Sequence, residues 1–493
     1  MKRLVIVIFI IFGAFLTFSL YRTFAYDTSI VEETPSTTNL EYTFKIGNSS
    51  IKQITIDSGE TKYYDVVLGN PNPAKISYGV YYEMVSPSSK PDDFSIEYTS
   101  KSTGESTGKT DKESTIILNL VVTNTSSSSV TVKLGTVAGY VNGGELALES
   151  GQEFIPKKSF PKATELVESL NDNSTGDSGS GVYKVHHDAI SAESSATGEI
   201  ISATDDYRYY GASPNNYICL DKNSDGTCED KHLYRIIGSM REDSDKVYKV
   251  KVIKATPLTD GTTSGFSWDC TNVSSSAKLL APEMTVCNRR ANVWSGKEAD
   301  ATIMQLLNGI WLNNGVGNYY NNSSKATVLN FTNYGLSNNA KKLINLKSRY
   351  YLGGVESDTK KTIEAYIAER GNVTSNGNSQ YWDGMIGLMY LSDIGYVSGE
   401  NCANNISLNT YDEDCFNKNW IYKRKYQTFT ITPFAMSGDN WRNDCAIYVI
   451  HSGSISDGWS VEAVLSVFPV FYLKSNVVIT SGTGTEQDPY LVQ

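Results

Sequence analysis

The chain has 493 residues, of which 40% are hydrophobic and 20% charged, and carries a net charge of -11 at pH 7. Its length leaves room for more than one domain with its own core. The acidic balance argues against a nucleic-acid partner, which needs a basic groove or stripe, and against adhesion to anionic lipid by charge alone.

Lys2 and Arg3 precede an apolar run from Leu4 to Leu20. The run is about as short as a bilayer span can be and long for a signal-peptide core. Residues 1–25 therefore read as a signal anchor, or as a signal peptide cut after Thr23-Phe24-Ala25. The basic residues would stay inside and send the rest of the chain outward. No second apolar span follows. The expectation is a single-pass cell-membrane protein with an extracellular C-terminal region, or a secreted one, that meets the membrane only through its N-terminal segment.

Residues 39–158 alternate in strand fashion at Ile51 to Ile56, Lys62 to Leu68, Ile76 to Val85, Thr115 to Val122 and Val130 to Gly135. Turn clusters such as Gly69-Asn-Pro-Asn-Pro and Asn124-Thr-Ser-Ser-Ser-Ser separate them. Short strands without a helical period predict an all-β sandwich of immunoglobulin-like type.

Residues 159–199 read as a linker with a short helix over 163–170, followed by the flexible run NDNSTGDSGSG. Gly176-Asp177-Ser178-Gly179 echoes a protease nucleophile motif, but all four histidines follow it in the chain, so the order is wrong. In the pair His186-His187, adjacent side chains of an extended segment point to opposite faces, which opposes a shared metal and favours a solvated pair.

Residues 200–493 mix strands (Tyr217 to Leu220, Leu233 to Gly238, Val247 to Ala255) with helical patterns over Ala299 to Leu312, Asn339 to Leu352 and Lys360 to Arg370. Short strands then return at Thr428 to Thr432, Cys445 to Ile450 and Phe468 to Leu473. The expected class is α+β. All seven cysteines lie here, in a compartment where disulfides persist. Nearness pairs Cys219 with Cys228, Cys270 with Cys287 and Cys402 with Cys415, leaving Cys445 over; other connectivities stay open.

The stretch Cys219-Leu-Asp-Lys-Asn-Ser-Asp-Gly-Thr-Cys228 has two readings. Asp221, Asn223 and Asp225 before Gly226 match the opening of a calcium loop. However, His232 stands where such a loop places its closing bidentate glutamate. The favoured reading is a disulfide-closed hairpin tip, with no cofactor required and calcium as the minority reading. The acidic run Asp412-Glu413-Asp414 reads as a solvated loop, and His451 as the exposed end of a strand.

All seven tryptophans also lie in this region. Most are expected in the core, since large aromatics dominate burial. Trp441 and Trp459, set among Gly, Asp, Asn and Ser, are the two expected in loops, suited to stacking on a ligand.

Several segments resemble a group of bacterial cell-surface proteins: Tyr207-Arg-Tyr-Tyr-Gly-Ala-Ser-Pro-Asn-Asn-Tyr217, Leu233-Tyr-Arg-Ile-Ile-Gly238, Trp382-Asp-Gly-Met-Ile-Gly-Leu-Met-Tyr390, Cys415-Phe-Asn-Lys-Asn-Trp420 and Phe468-Pro-Val-Phe-Tyr-Leu-Lys474. The ending is similar to domains distantly related to C-type-lectin-like and formylglycine-generating-enzyme-like folds, where the last core strand reads Gly-Val-Arg-Pro. Here it is Ser466-Val-Phe-Pro469. The resemblance implies a C-type-lectin-like fold for residues 200–493 and brings no catalytic residues with it. The function expected is non-catalytic binding of an extracellular glycan or protein. A secreted hydrolase with a dispersed site and a structural fibre or envelope subunit are the alternatives.

Overall fold

In a computed structural model the described residues are 43–46, 52–99, 102–140, 145–223, 227–269, 292–296, 300–321, 326–355, 360–375, 377–424, 426–434, 445–450 and 454–493. Of 43–46, 140, 445–450, 454 and 456–460 only the backbone is described. The chain forms two compact units, Met1–Ser159 and Phe160–Gln493. The apolar run 4–20 lies outside the described residues; among those described, no helix is long and apolar enough to cross a membrane.

Unit 1 contains strands β1 (Thr43–Ile46), β2 (Gln53–Ile56), β3 (Glu60–Gly69), β4 (Ile76–Ser86), β5 (Phe94–Tyr98), β6 (Thr107–Thr110), β7 (Thr115–Asn124), β8 (Val130–Tyr140) and β9 (Gln152–Phe154). One sheet runs β1-β3-β7-β5 and the other β2-β8-β4-β6, with β9 also on β4. Alternate residues of both sheets enter one core: Val66 and Leu68, Ile116 to Val122 by twos, Val80 and Tyr82, Val130 to Leu134 by twos. This is a β-sandwich, because each strand buries every second side chain between the sheets.

The strand order is not the immunoglobulin-like one expected from the sequence. That fold keeps sequence neighbours together in one sheet, as A with B and F with G. Here β1 to β8 alternate strictly between the two sheets, and among the described residues of unit 1 no strand pairs with its neighbour in sequence. The connections from β1 to β8 therefore cross from one sheet to the other, even where they are only three to five residues long, as between Ile56 and Glu60 or Asn124 and Val130.

Unit 2 is built on an eight-stranded sheet of β10 (Gly181–His187), β11 (Thr204–Tyr210), β12 (Tyr217–Cys219), β13 (Leu233–Glu242), β14 (Val247–Lys254), β22 (Val470–Tyr472), β23 (Ile479–Ser481) and β24 (Tyr490–Val492). β13 is the hub. One edge pairs with both β12 and β11, and the other with β14, which passes on to β22. At Gly238 the ladder bulges, and a Cβ there would stand 2.3 Å from the Tyr207 carbonyl oxygen. Only glycine lets β11 approach that closely.

Between β14 and β22 the chain adds two hairpins, β15 (Val316–Tyr319) with β16 (Thr327–Asn330) and β17 (Ser348–Tyr351) with β18 (Tyr381–Gly384). A small sheet follows, β19 (Thr428–Pro433), β20 (Cys445–Ile450) and β21 (Ser454–Ser460). The helices are α1 (Ala163–Ser169), α2 (Thr302–Leu306), α3 (Asn338–Leu343), α4 (Thr362–Glu369), α5 (Leu391–Tyr396), α6 (Glu400–Asn405) and α7 (Glu413–Asn417). α2 runs on through a π-helical turn, Leu307–Trp311, that buries Leu307, Ile310 and Trp311.

Two expectations change here. The stretch 159–199 is not a linker: α1 packs on β13 and β14, and β10 is the outer strand of the main sheet, pairing along its whole length with β11. Asn339 to Leu352 is not one helix, because Ile344 leaves helical geometry and Ser348–Tyr351 pairs with Tyr381–Gly384. The cross-strand pair Arg349–Asp383 at 2.9 Å, with Tyr350 beside Trp382, favours the strand. Helices α5 to α7 fall within 391–417, where no helix is expected from the sequence. They are too brief to show a helical period and rest on caps, such as Asp412 accepting from the Cys415 amide at 2.9 Å.

Candidate functional site

β12 and β13 pair antiparallel with Cys219 opposite Leu233, and the segment between them is closed by a disulfide from Cys219 to Cys228, Cα atoms 6.0 Å apart. A second disulfide joins Cys402 to Cys415. Cys270 and Cys287 lie outside the described residues, and Cys445 begins β20. At the closed tip the Asn223 amide donates to the Thr227 carbonyl at 2.9 Å.

Asp225 and Gly226 lie outside the described residues. Of the remaining calcium candidates, Asp221 accepts from the Asn339 side chain at 3.3 Å. Glu229, just past Cys228, is 2.5 Å from Lys231, which with the Asn223 side chain holds its carboxyl below the usual range. These oxygens point to separate protein partners. Among the described residues no three His, Cys, Asp or Glu side chains cluster as a metal site.

The disulfide loop borders a cleft of about 740 Å³. Lys231 and Cys228 stand on one side, Asn333 and Tyr334 on another, with Lys254 and Tyr426 completing the wall. Tyr334 and Tyr426 are 39% and 46% exposed, unusual for rings beside a cavity. Hydroxyls of Thr256, Thr259, Ser264 and Ser466 also line it. The set offers aromatic faces and hydrogen-bonding groups at once, the usual makeup of a small-ligand site.

Lys254, the last residue of β14, is buried in that wall. Its Nζ donates to the Asp230 carbonyl at 2.9 Å and to Thr256 Oγ1 at 3.1 Å. Burial brings its pKa down to about 8, with the Asp230 carboxylate opposing the shift and Arg424 adding to it. Arg235, from β13, is also buried. It donates to Asn216 Oδ1 at 2.7 Å and stacks 4.3 Å from the Trp420 ring. Burial lowers it to about 10. Arg424 covers Trp420 at 5.1 Å and Phe468 at 4.7 Å. Its Nε, Nη1 and Nη2 are all buried, and among the described residues none of them makes a hydrogen bond. Tyr426 packs on that same Phe468, 5.7 Å away.

The sequence-singled residues do not converge on this cleft, apart from the Cys219–Cys228 loop. Trp441 and His451 lie outside the described residues. Trp459 is not in a loop: it sits in β21, paired with Ala446 of β20. Asp412 caps α7 and Asp414 pairs with Lys418, so the acidic run is spent on one helix. Trp268, Trp294, Trp311 and Trp420 are fully buried, as expected for core tryptophans.

His187 is not solvated. His186 faces out and contacts Asp205 at 2.6 Å, whereas His187 is 1% exposed, 2.9 Å from Asp206 and stacked 3.7 Å from Tyr366. The opposite-face reasoning holds, but the inner face is covered by α4 and α5. Burial depresses His187, Asp206 opposes this, and Arg208 and Arg370 add to it. The folded form thus holds neutral imidazole, with Nε2 donating to Asp206. Unfolded histidine titrates at about 6.5, so just below that pH the unfolded chain binds more protons. Stability is therefore full above about pH 6.5 and falls as the pH drops toward the lower folded value. His187→Gln should flatten the decline of melting temperature between pH 6.5 and 5, an interval set by that ordinary histidine value of about 6.5. An unchanged slope in calorimetry would exclude His187 as a contributor.

No protein-family model matches the chain, and no curated protein matches it. The fold and the cleft define a β-rich, disulfide-bonded protein of two units.

Proposed function

We propose that this is an extracellular surface protein, membrane-anchored or secreted, whose unit 2 binds a glycan or protein ligand without transforming it. The carrying observation is the cleft beside the Cys219–Cys228 loop, with two exposed tyrosines among hydroxyl and amide groups. Such rings stack on apolar ligand faces while their neighbours bond polar groups. Disulfides support an oxidising compartment.

The full chain in neutral detergent should retain a small subset of a glycan and ectoprotein array. Tyr334→Ala with Tyr426→Ala should abolish that retention while leaving the circular dichroism unchanged. Retention that survives both substitutions would move the site elsewhere. One observation favours the enzyme alternative: Lys254, held near 8, borders the cleft as an amine able to act as a base. Turnover of an array ligand, lost in Lys254→Met, would replace the binding reading.

A further inference from the structure

The cleft beside the Cys219–Cys228 loop carries ionic groups of both signs, and they balance. Glu229 and Asp230 bring carboxylates to its wall, Lys231 and Lys254 amines. Glu229 and Lys231 form an ion pair at 2.5 Å. Lys254 donates to the Asp230 carbonyl and to Thr256 Oγ1, and it also lies in the field of the Asp230 carboxylate. A charged ligand entering here would meet as much repulsion as attraction while losing its own hydration.

The remaining polar lining is neutral. Among the described residues, the side chains of Ser264, Asn333 and Ser466 make no hydrogen bond within the protein. Thr259 Oγ1 accepts from the Gly261 amide at 3.0 Å, which keeps its O–H available as a donor. An apolar ligand would strip water from these groups and return nothing, whereas a ligand bearing hydroxyls would take the place of that water.

The rings are seated before any ligand arrives. The Tyr334 and Gly335 amides both donate to the Phe331 carbonyl, at 3.0 and 2.8 Å, and Trp311 Nε1 donates to the Tyr334 carbonyl at 3.3 Å. The hydroxyl end of the Tyr334 ring lies over Gly261, where a Cβ would stand 2.6 Å from Tyr334 Cζ. Gly261 has a φ of 91°, a left-handed conformation that favours glycine in its own right. Tyr426 packs on Phe468. A ring held in this way loses little freedom when a ligand stacks on it.

We propose that the cleft takes an uncharged sugar, which lays a ring face on Tyr334 or Tyr426 and bonds its hydroxyls to Ser264, Asn333 and Ser466, with Gly261 positioning Tyr334. This rests on the binding reading above and adds the ligand's class. A sugar ring presents C–H groups on its faces and hydroxyls around its edge, the two kinds of contact that this wall supplies.

The test uses the full chain in neutral detergent. Titration calorimetry compares glucose, galactose and short N-acetylglucosamine oligosaccharides with glucuronate, galacturonate and glucosamine. At least one neutral sugar should bind about threefold or more tighter than its charged relatives. A roughly tenfold rise in salt should change that affinity by less than about twofold. Tyr334→Ala and Asn333→Ala, both at exposed positions, should each weaken it about three- to tenfold. Gly261→Ala should weaken it too, but no further once Tyr334 is alanine, because the two act through one ring. A charged relative that binds tighter, with a steep salt dependence, would overturn the neutral assignment and leave the binding reading standing. A protein ligand that needs both tyrosines, with no sugar bound, would overturn the sugar assignment and also leave that reading. Losses from Gly261→Ala and Tyr334→Ala that simply add would overturn the positioning role. If no sugar binds and the array is also blank, both readings fall.

Discussion

Asp393→Ala should destabilise unit 2 by roughly 3–5 kcal/mol, the cost of removing one partner from a buried ionic cluster. Asp393 is fully buried and accepts from Arg208 Nη1 at 2.9 Å, Lys251 Nζ at 2.6 Å and the Tyr390 amide at 2.9 Å. Its carboxylate therefore joins β11, β14 and the start of α5. Burial alone would raise its pKa, but Lys251 and Arg208 outweigh burial and hold it below the ordinary range. Without it, Lys251 loses its anion, and Arg208 keeps only Asp206. Asp393→Asn should cost less, since the amide oxygen still accepts from one cation. Replacing both Asp393 and Lys251 with apolar residues should recover part of the loss, because fewer charges are then stranded. All seven tryptophans lie beyond residue 160, so tryptophan fluorescence during urea unfolding reports on unit 2 alone. A loss under about 1 kcal/mol would place the cluster among ion pairs of surface strength.

This cluster also shows where sequence reasoning stopped. Val247 to Ala255 alternates apolar residues with Lys249 and Lys251, which reads as a strand with one wet face. The strand is there, but neither face is wet: Lys249 and Lys251 are 2% and 1% exposed. Asp206 and Arg208, two apart on β11, carry compensating charge on that same face, as does Asp393 on α5. Opposite charges at a spacing of two were the available signal. The covering helices α4 and α5 complete the burial, and α5 is too short to be seen in a periodicity.

The sandwich and its turns were legible because alternation is local. Its strand order was not, since pairing of β3 with β7 or β4 with β8 depends on contacts far apart in sequence. The cleft had only its bordering loop visible in advance. Lys254, Tyr334 and Tyr426 come from separate segments, and nothing in their immediate neighbours marks them. The legible piece was the pair Cys219 and Cys228, whose shared strand context made a closed hairpin the favoured reading.

That loop carries the second large effect. Cys219→Ala with Cys228→Ala should cost about 3 kcal/mol, the closure entropy expected for a loop of this size in the chain-entropy model. The loss should not stop at stability. Cys228, Glu229, Asp230 and Lys231 form one side of the cleft, and Lys254 is held by the Asp230 carbonyl at 2.9 Å. Opening the loop frees that carbonyl to move and withdraws an acceptor from an already under-paired amine. Ligand affinity should then fall along with melting temperature, whereas a staple remote from the site would lower melting temperature alone. Calcium distinguishes the two readings of the tip. With Asp221 bonded to Asn339 and Glu229 to Lys231, added calcium should leave the melting temperature of the oxidised chain unchanged. A calcium-dependent rise that Asp221→Ala and Asp225→Ala both remove would restore the metal as the loop's organiser, since a ligand stabilises only by binding the folded form more tightly.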